Sequence, residues 1–338
     1  MNGEFLAGDR ETTNGTRIHQ VMLDGTWEQA GRNPAVAAVI VLLVIGTIYF
    51  NGQSILLVIS MVLGGGFGKV IAHSGNYIDR LTTSAELQKN PIRVCLVITQ
   101  YSLLLLPALW IVRKWHSSDI RGYIRLVPCS FPEVLLAVGA TAALFPLNIV
   151  VSNFFTRSLH VPDFLISINE ILMTAHSGKE FLGLVFVVAI TPAICEEILF
   201  RGYVQRTFER TMGWKSILLA GFIFGLYHMQ PLGLITLSSL GFVFGYFYYR
   251  SRSLFPPMAA HFTNNFLVLL MLYLKPSLWS NHLFTEKSIL LLVIAGTATV
   301  EVFIFVIYRR LTAGRKNNHE LVYPYSLLPM SNAPPDAY

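Results

Sequence analysis

Residues 181–205 read FLGLVFVVAITPAICEEILFRGYVQ. Crossing a bilayer takes about 20 predominantly apolar residues, and this run has that length and character. It carries two adjacent carboxylates, Glu196 and Glu197, with Arg201 four residues after the second. In hydrocarbon the backbone must satisfy its own hydrogen bonds, so such a run is a helix. Neighbouring helical residues stand ~100° apart, whereas residues four apart share a face. Glu197 and Arg201 can therefore pair within one helix. Glu196 points elsewhere and is not neutralised by that pair.

The rest of the chain has the same character. Of its 338 residues 53% are hydrophobic and only 13% charged, with a mean hydropathy of +0.54; soluble domains carry about 25% charged residues. Apolar blocks at 35–50, 54–72, 94–112, 132–152, 181–205, 215–230, 232–249, 254–274 and 288–308 predict an all-α polytopic membrane bundle of about eight or nine transmembrane helices. The expected division is a polar N-terminal extension (1–33), N-terminal transmembrane helices (34–130), a core (131–309) and a C-terminal tail (310–338), both ends reading as mobile. With nine helices and the N-terminus outside, Arg113, Lys114, Arg206, Arg210, Arg250, Arg252, Arg309 and Arg310 fall on the inner side. The expectation is a multi-pass protein of the cell membrane with a cytoplasmic C-terminus.

This clustering accounts for the net charge of +6 and pI of 9.2 without nucleic acid, which is excluded as a partner. Three cysteines, Cys95, Cys129 and Cys195, do not make a disulfide framework. No secretory leader is expected at the polar N-terminus, and the closing PPDAY is no prenylation box. LGGGFGK (63–69) fails as a phosphate loop, because the first glycine would fall on Leu63 and Val70 follows the lysine; it reads as close helix packing. Nothing in the sequence speaks to oligomeric state.

Ionisable groups inside a membrane are costly and mark functional sites. Besides Glu196-Glu197-x-x-x-Arg201, the apolar blocks hold Phe224-x-x-x-His228 and His261-x-x-x-Asn265. At ~1.5 Å per residue, Glu196 lies ~15 Å from an inner end near Arg206, His228 ~20 Å from Lys215 and His261 ~10 Å from Leu254, so all three fall within ~10 Å of one level. Pro192 could kink its helix and open room for water. A desolvated, unpaired Glu196 would be a stronger base and could act on water. Asn265, on the face of His261, could orient the imidazole or donate to an oxyanion. Taken singly each motif has a plainer reading: a helix-end ion pair, a packing histidine, a polar helix start. Two carboxylates, two imidazoles and an amide at one depth do not. A proton or ion relay would string such groups across the bilayer instead. Cys195 reads as an inert buried thiol, Glu301 as a packing carboxylate, and His73, His116, His160, His176, His282 and His319 fall in loops or tails without a role.

The three motifs in this order resemble the CAAX-processing and bacteriocin-immunity (CPBP, Abi) intramembrane protease family, and the core at 131–309 is CPBP-like on that resemblance. GFVFGYFYYRSRSLFPPMAAH (241–261) is similar to a segment of the bacterial-type members. The resemblance implies an eight-helix-like α fold with a cavity opening to the membrane and cytosol, and an endopeptidase acting on a peptide or membrane-protein substrate. Glu196 would activate water with His228, His261 and Asn265 would hold the oxyanion, and Glu197 and Arg201 would support the site. The bacterial-type segment argues against prenylated substrates. A divalent metal such as zinc would take Glu196, His228 and His261 as ligands. The missing HExxH and the Asn265 partner of His261 favour a metal-independent glutamate enzyme. The alternative is a non-catalytic relative, acting as a membrane scaffold, immunity or regulatory protein.

Overall fold

The computed structural model describes residues 9–11, 17–63, 77–158, 170–230, 233–274, 287–313 and 319–323. Most of LGGGFGK lies outside them. Among the described residues two short strands, β1 (Asp9–Glu11) and β2 (Arg17–Met22), precede ten helices: α1 (Thr26–Gln29), α2 (Pro34–Leu63), α3 (77–116), α4 (Ile120–Tyr123), α5 (Phe131–Ser158), α6 (178–212), α7 (Ser216–Tyr227), α8 (Leu234–Ser251), α9 (Phe255–Leu274) and α10 (Lys287–Leu311). Strand β3 (His319–Val322) follows. Among the described residues six stretches are long and apolar enough to cross a membrane by length and composition: Pro34–Leu56, Ala85–His116, Phe131–Phe155, Gly178–Tyr227, Phe255–Leu274 and Leu290–Leu311. The protein is a multi-pass helical membrane bundle.

The block expected at 35–50 and the described part of the block expected at 54–72 form one helix, α2, as far as Leu63. The intervening Asn51-Gly52-Gln53 does not break it because its polar groups bond along the helix. Asn51 Nδ2 donates to the Thr47 carbonyl at 2.7 Å and Gln53 Nε2 to the Tyr49 hydroxyl at 2.8 Å. The bare Gly52 admits Leu103 of α3, whose Cδ1 would lie 2.2 Å from an added methyl.

Merging two blocks changes the topology. Strand β2 pairs in parallel with β3, His19 facing His319 and Met22 facing Val322, and the Leu23 N–H donates to the Val322 carbonyl at 2.8 Å. Both ends of the described chain therefore sit at one end of the bundle, not on opposite sides as nine helices required. Residues 17–29 are also no loose extension. Trp27 stacks on Trp115 at 5.0 Å, and buried Glu28 takes two bonds from Arg210, of 2.5 and 2.8 Å.

At that same end Arg125 grips Glu209 through two bonds of 2.8 Å, and Arg252 pairs with the same carboxylate. This buried ionic layer holds the ends of α6 and α8 against the chain between α4 and α5. From there α7 runs inward for only 12 residues, ~18 Å, short of a ~30 Å hydrocarbon core. It turns back through α8 as a tight hairpin. Its closeness rests on Gly221 and Gly241, since a methyl on Gly241 would sit 2.5 Å from the Gly221 carbonyl oxygen.

Candidate active site

Helix α6 alternates between α and π winding, with π turns at Val185–Ile190 and Ile198–Gln205 on either side of Thr191–Glu197. Pro192 sits at the first junction. Proline lacks an N–H and crowds the carbonyl four residues back, so the Val188 carbonyl loses its helical donor. Asn265 Nδ2, from α9, donates to that oxygen at 2.8 Å, and Asn265 Oδ1 accepts from Asn264 at 3.0 Å. The expected Asn265–His261 pairing is thus replaced, because an orphaned carbonyl on α6 claims the amide.

Glu197 orients His261 instead. Its Oε1 accepts from Arg201 Nη1 at 2.7 Å and from His261 Nδ1, also at 2.7 Å. Both carboxylate and guanidinium are buried. Arg201 also donates to the Gly241 carbonyl at 3.1 Å and lies over the Phe224 ring at 4.4 Å, so its charge is met by carboxylate, carbonyl and π face together. The His261 ring stacks on Phe244 at 5.3 Å.

Glu196 faces another way, as the ~100° step requires. Its Oε1 accepts from Gln100 Nε2 at 2.8 Å, while its buried Oε2 has no hydrogen-bond partner among the described residues. Across from Oε2, at 3.8 Å, lies His228 Nε2. His228 stands at the C-terminus of α7, and its Nδ1 contacts the Phe224 carbonyl at 2.8 Å. A carbonyl only accepts, so Nδ1 carries the proton and Nε2 presents a lone pair in the neutral ring. Two acceptors thus face each other across a gap too wide for a hydrogen bond. Phe224 ties the halves together, its ring centroid 4.7 Å from His228 and 5.7 Å from His261.

Beside the site, an apolar cleft of about 580 Å³ runs between α5, α6 and α9, lined by Cys129, Val134, Ala193, Ile194, Met258 and Phe262. Ala193 and Ile194 occupy the turn of α6 just before Glu197. As to a metal, among the described residues no three His, Cys, Asp or Glu side chains converge closely enough to hold an ion. Glu196, His228 and His261 do not fit one in this arrangement.

Sequence reasoning missed two features. Gln100 was legible by the rule that found the others, being a polar side chain within the apolar block 94–112. His116 is no loop residue. It is fully buried at the end of α3, with Nδ1 2.5 Å from Glu28 Oε1 and Nε2 3.2 Å from the Tyr203 hydroxyl. Burial raises the proton affinity of Glu28, but hydrogen bonds and charge from Arg210 and His116 outweigh it and hold the carboxyl below its ordinary value. Glu301 is buried with neither oxygen bonded among the described residues, and Cys195 is buried against apolar neighbours.

Residues 178–267 match the family described as Type II CAAX prenyl endopeptidase Rce1-like. Those residues hold all three motifs. Over those residues the chain is similar to the CAAX-processing and bacteriocin-immunity family. A protein of Bacillus subtilis (strain 168) named "Putative membrane peptidase YdiL" is 30% identical over 114 residues, 33% of this chain and 46% of that protein. The chain thus matches about half the length of this relative. No solved structure matches the chain.

Proposed function

We propose that the protein is an intramembrane endopeptidase that hydrolyses peptide bonds of a membrane-associated protein or peptide. The observation that carries this is the facing pair Glu196 Oε2 and His228 Nε2, 3.8 Å apart and both acceptors. A group that satisfies two acceptors at once must offer two donors, and water does. Held there, water gives one proton to Glu196 as its oxygen attacks the scissile carbonyl, while His228 orients it through the second. The protonated Glu196 then returns the proton to the departing amine, so the step balances without another reactant.

The tetrahedral oxyanion is met from α9. Protonated at both nitrogens, His261 donates through Nε2, with Glu197 stabilising the cation through Nδ1. Asn265 Nδ2 has a second hydrogen beyond the one given to Val188, and that hydrogen serves the same oxygen. Arg201 holds Glu197 in place. The family match over residues 178–267 and the peptidase name of the Bacillus relative support the reading. The adjoining apolar cleft fits a substrate that arrives within the membrane.

The experiment compares newly exposed peptide termini in membranes expressing wild type or Glu196→Ala at matched levels. Termini that disappear in the variant support the protease and name a substrate. Identical termini overturn it in favour of a non-catalytic scaffold that keeps these residues for structure.

A further inference from the structure

One polar group at the site comes from outside residues 178–267. Gln100, on α3, is 5% exposed and opens a π-helical turn, Gln100–Leu105, of a kind that recurs at functional sites. An amide buried in an apolar block is costly without partners. Its Nε2 donates to Glu196 Oε1 at 2.8 Å, and its Oε1 has no hydrogen-bond partner among the described residues. Tyr49 of α2 stands beside both Gln100 and Glu196, and its hydroxyl accepts from Gln53 at 2.8 Å.

Resting on the protease reading, we infer that Gln100 is a positioning residue for Glu196, supplied by the N-terminal helices that the family match does not cover. A carboxylate turns readily about its last side-chain bond. Pinning Oε1 to Gln100 fixes the other oxygen toward His228 Nε2, so the base is aimed before substrate arrives. Tyr49, bonded by Gln53, stands beside the amide from α2. The site is therefore assembled from two parts, the motif-bearing helices α6, α7 and α9 and a support from α2 and α3. Misplacing a reacting group by about 1 Å can cost ~100-fold in rate.

The test uses the full-length protein in detergent micelles. The probe is an internally quenched peptide spanning the most abundant terminus that Glu196→Gln abolishes. Gln100→Leu and Gln100→Met keep the volume and remove the amide. The expected result is a kcat lowered ~10–100-fold with KM within about twofold of wild type and an unchanged thermal midpoint. Gln100→Glu, which sets a second carboxylate against Glu196, should lose more than either. A wild-type kcat in Gln100→Leu, or a kcat loss matched by a collapsed thermal midpoint in both apolar variants, overturns the inference and leaves the protease standing. Termini that do not depend on Glu196 overturn the protease reading, and the inference with it.

Discussion

Of the two adjacent carboxylates on α6, Glu197 shares one oxygen between Arg201 and His261, each at 2.7 Å, whereas Glu196 gives one oxygen to Gln100 and leaves the other 3.8 Å from His228 Nε2. The two side chains are chemically identical and one residue apart, yet they meet different worlds. The helical step turns one into a charge network closed by a guanidinium. It turns the other toward groups that only accept or that carry no charge. A buried carboxylate with a full cation beside it is a structural element. On the proposed protease reading, one with an open oxygen opposite a lone pair is placed for proton transfer.

The contrast can be broken by exchanging what each carboxylate loses. Glu196→Gln should lower cleavage by ~10²–10⁴-fold, the share expected of a general base, with a thermal midpoint close to wild type. Glu197→Gln should destabilise the fold by about 3–5 kcal/mol, because Arg201 is left as an uncompensated buried charge. A denaturation midpoint in detergent reads that loss, and cleavage falls as a consequence.

Asn265→Ala sharpens the comparison on the α9 side. It leaves the Val188 carbonyl without its donor, at a cost of ~1–3 kcal/mol in the same denaturation assay. Restoring the helical donor by Pro192→Ala in that background should recover part of it.

The smallest effect concerns the network at the other level. The folded Glu28 carboxyl lies below its ordinary value of 4.5, so its contribution is fully present above that value and is lost as pH falls through the lower folded one. Its neighbours there are Arg210 and His116, with Tyr203 bonded to His116 and Tyr323 to Arg210. Limited proteolysis should leave residues 17–29 protected at pH 7 and open them on acidification below 4.5.

How much of this the sequence disclosed follows from the range of each interaction. The Glu197–Arg201 pair and the divergence of Glu196 are local helical geometry, legible from four residues. The apolar blocks gave the membrane bundle for the same reason. The single helix α2 was not legible, since Asn51, Gly52 and Gln53 look like a loop until Leu103 and Tyr49 are seen to accommodate them. Asn265 was expected beside His261 because spacing along α9 says nothing of a carbonyl freed on α6. His116 was lost because its carboxylate partner lies 88 residues away, in a segment that reads as a tail. The same segment, paired through β2 with β3, also decides that both described ends lie together.

The most direct test of the division between the two carboxylates is Glu196→Gln and Glu197→Gln measured side by side, for cleavage of a Glu196-dependent peptide and for thermal midpoint. Glu196→Gln should abolish cleavage while melting like wild type, and Glu197→Gln should melt well below it. If Glu196→Gln cleaves at the wild-type rate, or if it melts as early as Glu197→Gln, then Glu196 is not the aimed base and the two carboxylates do not divide their labour in this way.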